Sequence, residues 1–200
     1  MNKKIAAALL ALVVLVPLTG YAQGNYRSNN TSRVISSNKV YLGVKFGQVS
    51  LELDVSGSDR ESVADNMGFV FGGDINDYLA LEFEYTKTVS SDLVEIALTP
   101  TQTSFDTVGI FLVAKSTGSL YGKARLGYSW VEQDFDSFGS DTVYGLAYGL
   151  GAGFKASDTF YIEGEYTIYP ESDETDRFGN AFGADLNTDI ISVNLVWSYN

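Results

Sequence analysis

The chain has 200 residues with 13 Tyr, 12 Phe, 2 Trp and 20 Gly, only 3 Pro, and neither His nor Cys. Lack of His excludes a Ser-His-Asp triad, an imidazole base and a His-ligated metal, and lack of Cys excludes a thiolate nucleophile, a disulfide and a zinc ribbon. Its 13 basic and 25 acidic residues leave a net charge of −12, which argues against a nucleic-acid partner, and a mean hydropathy of +0.01 is too low for a bundle of membrane helices.

Asn2-Lys3-Lys4 supplies a positive start, and Ile5 to Leu18 is apolar apart from Pro17. That run falls short of the roughly 18 apolar residues a spanning helix needs. Gly20 and Ala22 then offer small residues at the spacing a signal peptidase reads. Residues 1–22 are therefore predicted to be a signal peptide cleaved before Gln23. Residues 23–38, rich in Asn and Ser and without period, are predicted to be a flexible lead-in, and 39–200 a single barrel domain.

From Lys39 the dominant period is two. Val40, Leu42, Val44 and Phe46 alternate with Tyr41, Gly43, Lys45 and Gly47; Met67, Phe69 and Phe71 follow against Gly68, Val70 and Gly72. Leu79 to Thr86, Val108 to Ala114, Leu120 to Trp130, Tyr144 to Phe154, Phe160 to Thr167 and Ile191 to Tyr199 continue the pattern. These predict eight strands of a length that suits a tilted membrane crossing. Short polar turns at 75–77, 116–118 and 156–158 alternate with long polar connectors at about 50–63, 90–104, 132–140 and 171–187. Short turns on one side and long loops on the other are the rhythm of an outer-membrane barrel, with the turns in the periplasm. Leu93 to Leu98 is the one apolar stretch inside a connector, and an extension of the third-strand hairpin is favoured over an adhesive surface.

One face of these strands is almost free of charge, with Lys87 the main exception. Aromatics gather at its ends: Tyr78, Phe160, Trp197 and Tyr199 toward the turns, and Tyr85, Tyr128, Trp130, Tyr144, Tyr166 and Tyr169 toward the loops, as interfacial girdles require. The opposite face carries Lys45, Glu82, Glu84, Lys123, Arg125, Glu163 and Glu165 at comparable distances from the starts of alternate strands. The strands between them offer Gly68, Gly72, Gly145, Ala147, Gly149, Gly151, Gly153 and Ser192. An eight-stranded barrel is just wide enough for side chains to fill it, so the expectation is a buried ion-pair network that plugs the lumen. Four acids against three bases leave one acid to be protonated, bridged by water or matched by Lys155. A narrow ion path and a carboxylate pair acting as acid and base are the functional alternatives. The second requires a polysaccharide to reach groups sealed in the barrel.

Val40-Tyr41-Leu42-Gly43-Val44-Lys45, Leu79-Ala80-Leu81-Glu82-Phe83-Glu84-Tyr85, Leu126-Gly127-Tyr128, Gly149-Leu150-Gly151-Ala152-Gly153 and the alternating last strand come in an order that resembles the outer-membrane β-barrel domain family, in its small eight-stranded forms of the outer-membrane protein A and opacity protein types. The resemblance covers about residues 39–199. It implies an all-β, eight-stranded antiparallel up-and-down transmembrane barrel with short periplasmic turns and four longer extracellular loops. It also implies that Ile191, Val193, Leu195, Trp197 and Tyr199 form a C-terminal signal for the barrel-assembly machinery, although Asn200 follows where an aromatic usually ends the chain. Outer-membrane lipid and lipopolysaccharide are the expected surroundings.

All four connectors are acidic, with Asp54, Asp59, Glu61 and Asp65 in the first and Glu171, Asp173, Glu174 and Asp176 in the last. Neither that last run nor Asp134-Phe135-Asp136 has the spacing of a twelve-residue calcium loop, so no metal site or cofactor is assigned. Phe178, Ala181 and Phe182 are expected to fold the last loop onto the rim. A structural or surface-interaction barrel, with an extracellular ligand at its loops, is the function adopted. A small or gated pore is the alternative, and a lipid-modifying enzyme is disfavoured by the absence of His.

Overall fold

The computed structural model describes residues 39–55, 58–91, 94–96, 99–101, 103–135, 139–170 and 185–199. The predicted signal peptide and lead-in, most of the last loop and Asn200 lie outside them. The strands are β1 (Val40–Val55), β2 (Ser58–Asp74), β3 (Leu79–Ser91), β4 (Val94–Ile96), β5 (Thr99–Thr101), β6 (Thr103–Lys115), β7 (Leu120–Phe135), β8 (Gly139–Lys155), β9 (Phe160–Ile168) and β10 (Asp185–Tyr199). Eight of them close a barrel in the order β1-β10-β9-β8-β7-β6-β3-β2, every pair antiparallel, while β4 and β5 form a small hairpin sheet.

Strand partners followed round the barrel run from Val40 through Gly73, Leu81, Leu112, Leu126, Tyr148, Ile168 and Asp189 to Ser50. The path therefore returns to β1 ten residues beyond its start, from Val40 to Ser50. With eight strands, that stagger tilts each by about 40° to the barrel axis. Closure pairs every strand on both sides, which removes the unpaired backbone groups that no lipid could satisfy.

Local chemistry explains the three tight turns. In the β2–β3 turn, the Asn76 side-chain oxygen accepts from the amides of Tyr78 at 2.8 Å and Leu79 at 3.0 Å. Gly118 supplies a φ of 131° in the β6–β7 turn, a conformation side chains rarely adopt. Ser157 Oγ accepts from the Phe160 amide at 3.1 Å between β8 and β9.

At the other end the strands run farther than expected. The segments read as connectors at 50–63 and 132–140 are mostly strand: the β1–β2 ladder reaches Val55 opposite Ser58, and β7–β8 reaches Phe135 opposite Gly139. Polar composition there reports water contact and not the end of pairing, because an antiparallel neighbour satisfies the backbone equally well outside the bilayer. Between β3 and β6, part of the stretch Leu93 to Leu98 forms a short antiparallel pair. Val94–Ile96 pairs with Thr99–Thr101 as β4 and β5.

The hydrophobic pattern points outward. Leu42, Phe69, Phe83, Leu112, Leu126 and Leu146 are between 46 and 67 % exposed, whereas the polar or small alternates face the lumen and are buried. Such a surface is stable only against an apolar solvent.

Candidate functional site

The lumen is the site where the chemistry of this chain is concentrated. Lys45 comes from β1, Glu82 and Glu84 from β3, Lys123 and Arg125 from β7, and Glu163 and Glu165 from β9, and each is between 0 and 6 % exposed. Cross-strand register places a small residue beside nearly every one. Lys45 lies between Gly68 and Asn194, Glu82 opposite Gly72, Arg125 opposite Gly149, Glu163 opposite Gly153, and Gly151 lies between Lys123 and Glu165. β6 departs from that rule, because Phe111 and Val113 point inward and are fully buried. The Phe111 ring lies where a Cβ at Gly109 or Gly127 would sit, and the Arg125 guanidinium stands 3.5 Å from its centroid, a cation–π contact.

The seven charged groups form one connected set. Lys45 Nζ donates to Glu84 Oε2 at 2.7 Å and to Glu165 Oε1 at 2.9 Å. Arg125 Nη1 bridges the same two carboxylates, standing 2.8 Å from Glu84 Oε2 and also bonding Glu165 Oε1. Lys123 Nζ lies 2.9 Å from Glu82 Oε1, 3.0 Å from Glu163 Oε2 and 3.1 Å from Glu165 Oε2. Glu165 thus meets all three cations. In a medium of low dielectric constant, removing one partner leaves the others buried without compensation, which is the costly event for such a set.

Tyrosine was not expected in this role. Tyr41 OH donates to Glu82 at 2.8 Å, Tyr121 OH to Glu163 at 2.5 Å, and Tyr169 OH to the second oxygen of Glu84. These phenols supply the donors that three bases alone cannot. Lys155, one of the proposed matches for the fourth acid, instead lies 3.4 Å from Asp158 at the turn end. Tyr169 is a correction to the outer girdle: it is 1 % exposed and inside the barrel. Its signal was parity, since it shares the odd positions of Glu163, Glu165 and Thr167; proximity to the strand end is not a guide to side-chain direction.

The lumen differs above and below this layer. Toward the long-hairpin end the interior is uncharged but mixed: Val49, Phe105, Val131 and Ile190 are 0 to 1 % exposed, and Thr88, Thr107, Gln133 and Thr188 are buried among them. Toward the turn end it opens into a cavity of about 240 Å³. On the outer face, Lys87 lies 3.1 Å from Asp106, and Tyr128 packs edge-on to Trp130 with ring centroids 5.2 Å apart. Val193, Trp197 and Tyr199 are exposed, Ile191 and Leu195 are half-buried, and all five share the lipid-side parity of β10. Asp136, the acidic run 171–176 and Phe178, Ala181 and Phe182 lie outside the described residues. Among those described, no cluster of acids capable of holding a metal ion is present.

Solved structures share this architecture. The outer membrane protein OprG of Pseudomonas aeruginosa is 10 % identical, with a TM-score of 0.55 over 82 % of this chain and 97 % of that one. Neisserial surface protein A is 14 % identical, with a TM-score of 0.53 over 80 and 97 % of the two chains. Ail, the attachment invasion locus protein of Yersinia pestis, solved in complex with the heparin analogue sucrose octasulfate, is also 14 % identical with a TM-score of 0.53, over 81 and 99 %. Comparison with curated proteins finds no match. The sequence profile described as the outer membrane protein beta-barrel domain matches residues 8–198. With a closed eight-stranded barrel, an apolar exterior and that match over nearly its whole length, the chain belongs to the outer membrane protein beta-barrel domain family.

Proposed function

We propose that the protein is a sealed outer-membrane barrel with a structural and surface-interaction role, exported by cleavage after Ala22 and acting through its acidic outer loops. The observation that carries this reading is the filled lumen: seven charged side chains and Tyr41, Tyr121 and Tyr169 occupy its middle, each no more than 6 % exposed, beneath an uncharged layer that includes Val49, Phe105, Val131, Ile190 and Gln133. A solute path would have to break both layers. The same burial supports a non-enzymatic reading, because all four carboxylates of the core accept from cations or phenols where no polysaccharide can reach.

The bilayer contacts follow from the exterior. Outer-membrane lipid covers the apolar belt, and lipopolysaccharide headgroups meet the level of Lys87 and Asp106. Ile191, Val193, Leu195, Trp197 and Tyr199, on the strand that closes the barrel against β1, serve as the assembly signal read by the barrel-assembly machinery. The likeness to Ail, solved with a sulfated heparin analogue, is one of fold. Here the outer parts of β1, β2 and β7 carry Asp54, Asp59, Glu61, Asp65, Glu132 and Asp134, so a cationic extracellular partner fits better than a sulfated one.

Planar-bilayer recording of the purified barrel tests the seal directly. No step conductance is expected from protein that migrates as a heat-modifiable, folded band. Reproducible conductance steps from that band would establish the pore alternative and end the plug reading.

A further inference from the structure

The ionic layer has two unlike walls, on β6 and on β10, which lie diametrically opposite in the strand order. On β6, Phe111 stands beside Glu82 and Gly127, fully buried, with its ring against the Arg125 guanidinium. On β10 the matching inward places belong to Asn194, beside Lys45 and Glu163, and to Ser192, beside Gly47 and Glu165. Both side chains are shorter than a benzyl group, and the two residues are 0 and 4 % exposed. One wall is closed by an aromatic ring and the other by an amide and a hydroxyl.

Neither the side-chain oxygen nor the nitrogen of Asn194 has a hydrogen-bond partner, and Ser192 Oγ has none. Turning the amide over changes nothing, since both of its ends are free. Buried polar groups are almost always bonded, to protein or to water. Lys45, the cross-strand neighbour of Asn194, adds to the count: an ammonium group has three N–H donors, and this one bonds Glu84 and Glu165. Unfilled donors and acceptors therefore lie on adjoining strands. A cation there would meet the Lys45 ammonium and the Asn194 N–H groups, because Glu163 and Glu165 already accept from Tyr121, Lys123, Lys45 and Arg125. An anion would stand beside those same two carboxylates. The chemistry selects a small neutral molecule that donates and accepts at once.

We propose that the β10 wall of the ionic layer is a binding site for ordered water, held among Asn194, Ser192 and Lys45. Water there accepts from Lys45 Nζ or Asn194 Nδ2 and donates to Asn194 Oδ1 or Ser192 Oγ. That supplies the two to four polar partners a buried water needs. Ile190 and Val196, the next apolar residues on the inward face of β10 to either side, are buried, so the water is enclosed and forms no path along the barrel. The Phe111 wall, with a ring in the matching place, stays dry. The site is independent of what the outer loops bind.

The test is a crystal structure of the full barrel at a resolution that shows single waters, paired with one of the Asn194→Leu variant. At least one enclosed water is expected within hydrogen-bond distance of the Asn194 side chain and of Lys45 or Ser192, with none against the Phe111 ring. The folded Asn194→Leu barrel, close in side-chain size but without the amide, should lose that water and keep the heat-modifiable gel shift. An Asn194 side chain bonded directly to protein groups, with no water at it, would overturn the proposal. So would a metal ion in place of the water, a water against Phe111 as well ordered as that at Asn194, or an unchanged water in the Leu variant.

Discussion

The middle and the upper parts of the lumen are both buried but are held by different means. At mid-height Lys45, Lys123 and Arg125 are locked to Glu82, Glu84, Glu163 and Glu165, whereas toward the outer end Val49, Phe105, Val131 and Ile190 pack among the uncharged Thr88, Thr107, Gln133 and Thr188. Apolar packing is tolerant: a truncated side chain costs its own contacts and the void it leaves. An ionic layer is intolerant, because each group is a liability without its neighbours. The barrel places the intolerant set where every strand is braced on both sides.

Four variants probe that contrast, each read as the temperature or urea concentration at which the folded gel band or the Trp fluorescence is lost. The largest effect is expected for the paired change Lys123→Met and Arg125→Met, which leaves four buried carboxylates with Lys45 alone. A loss of about 5 kcal/mol or more is predicted, enough to impair folding. Unchanged resistance to heat would show that the ionic layer is not what stiffens the barrel. Phe105→Ala in the uncharged layer should cost about 3 kcal/mol through the cavity it opens. If it proved costlier than the paired change, the ranking of the two layers would be reversed.

Tyr169→Phe separates hydrogen bonding from packing, because it removes only the hydroxyl that donates to Glu84. A cost of about 2 kcal/mol is expected for a buried bond to a charged acceptor, and a cost near zero would reduce the phenol to a space-filler. The smallest effect belongs to Lys87→Ala. Its ammonium group pairs with Asp106 on the exterior with a side chain 58 % exposed, and no measurable change in unfolding is expected. A clear loss there would place more of the stability in the outer charge pair than the lumen comparison allows.

Alternation made most of the fold readable. Leu79-Ala80-Leu81-Glu82-Phe83-Glu84 admits one arrangement in a closed sheet, with its large apolar residues together on one side and its acids together on the other. Asn76, Gly118 and Ser157 marked the turns for reasons that are local and therefore visible in the chain. The upper ends of β1, β2, β7 and β8 were not visible, because polar side chains are compatible with loops and with strands standing in water. Seven charged residues of the lumen could be named from parity, but their partners could not. Tyr41, Tyr121 and Tyr169 point inward while Tyr78, Tyr128 and Tyr144 point outward, so residue type was no guide. Parity alone does not say which Tyr lies at the height of which Glu.

By itself the sequence determined the alternation of an outer and an inner face along most strands, since a strand has two sides and the charged residues share one of them. Only the tertiary structure decided that Glu165 meets Lys45, Lys123 and Arg125, that Tyr169 reaches Glu84, and that a blind cavity remains beneath them. Those contacts join residues far apart in the chain. They are set by the stagger that carries β1 from Val40 to Ser50 round the closed barrel, a property of the whole cylinder that no single strand encodes.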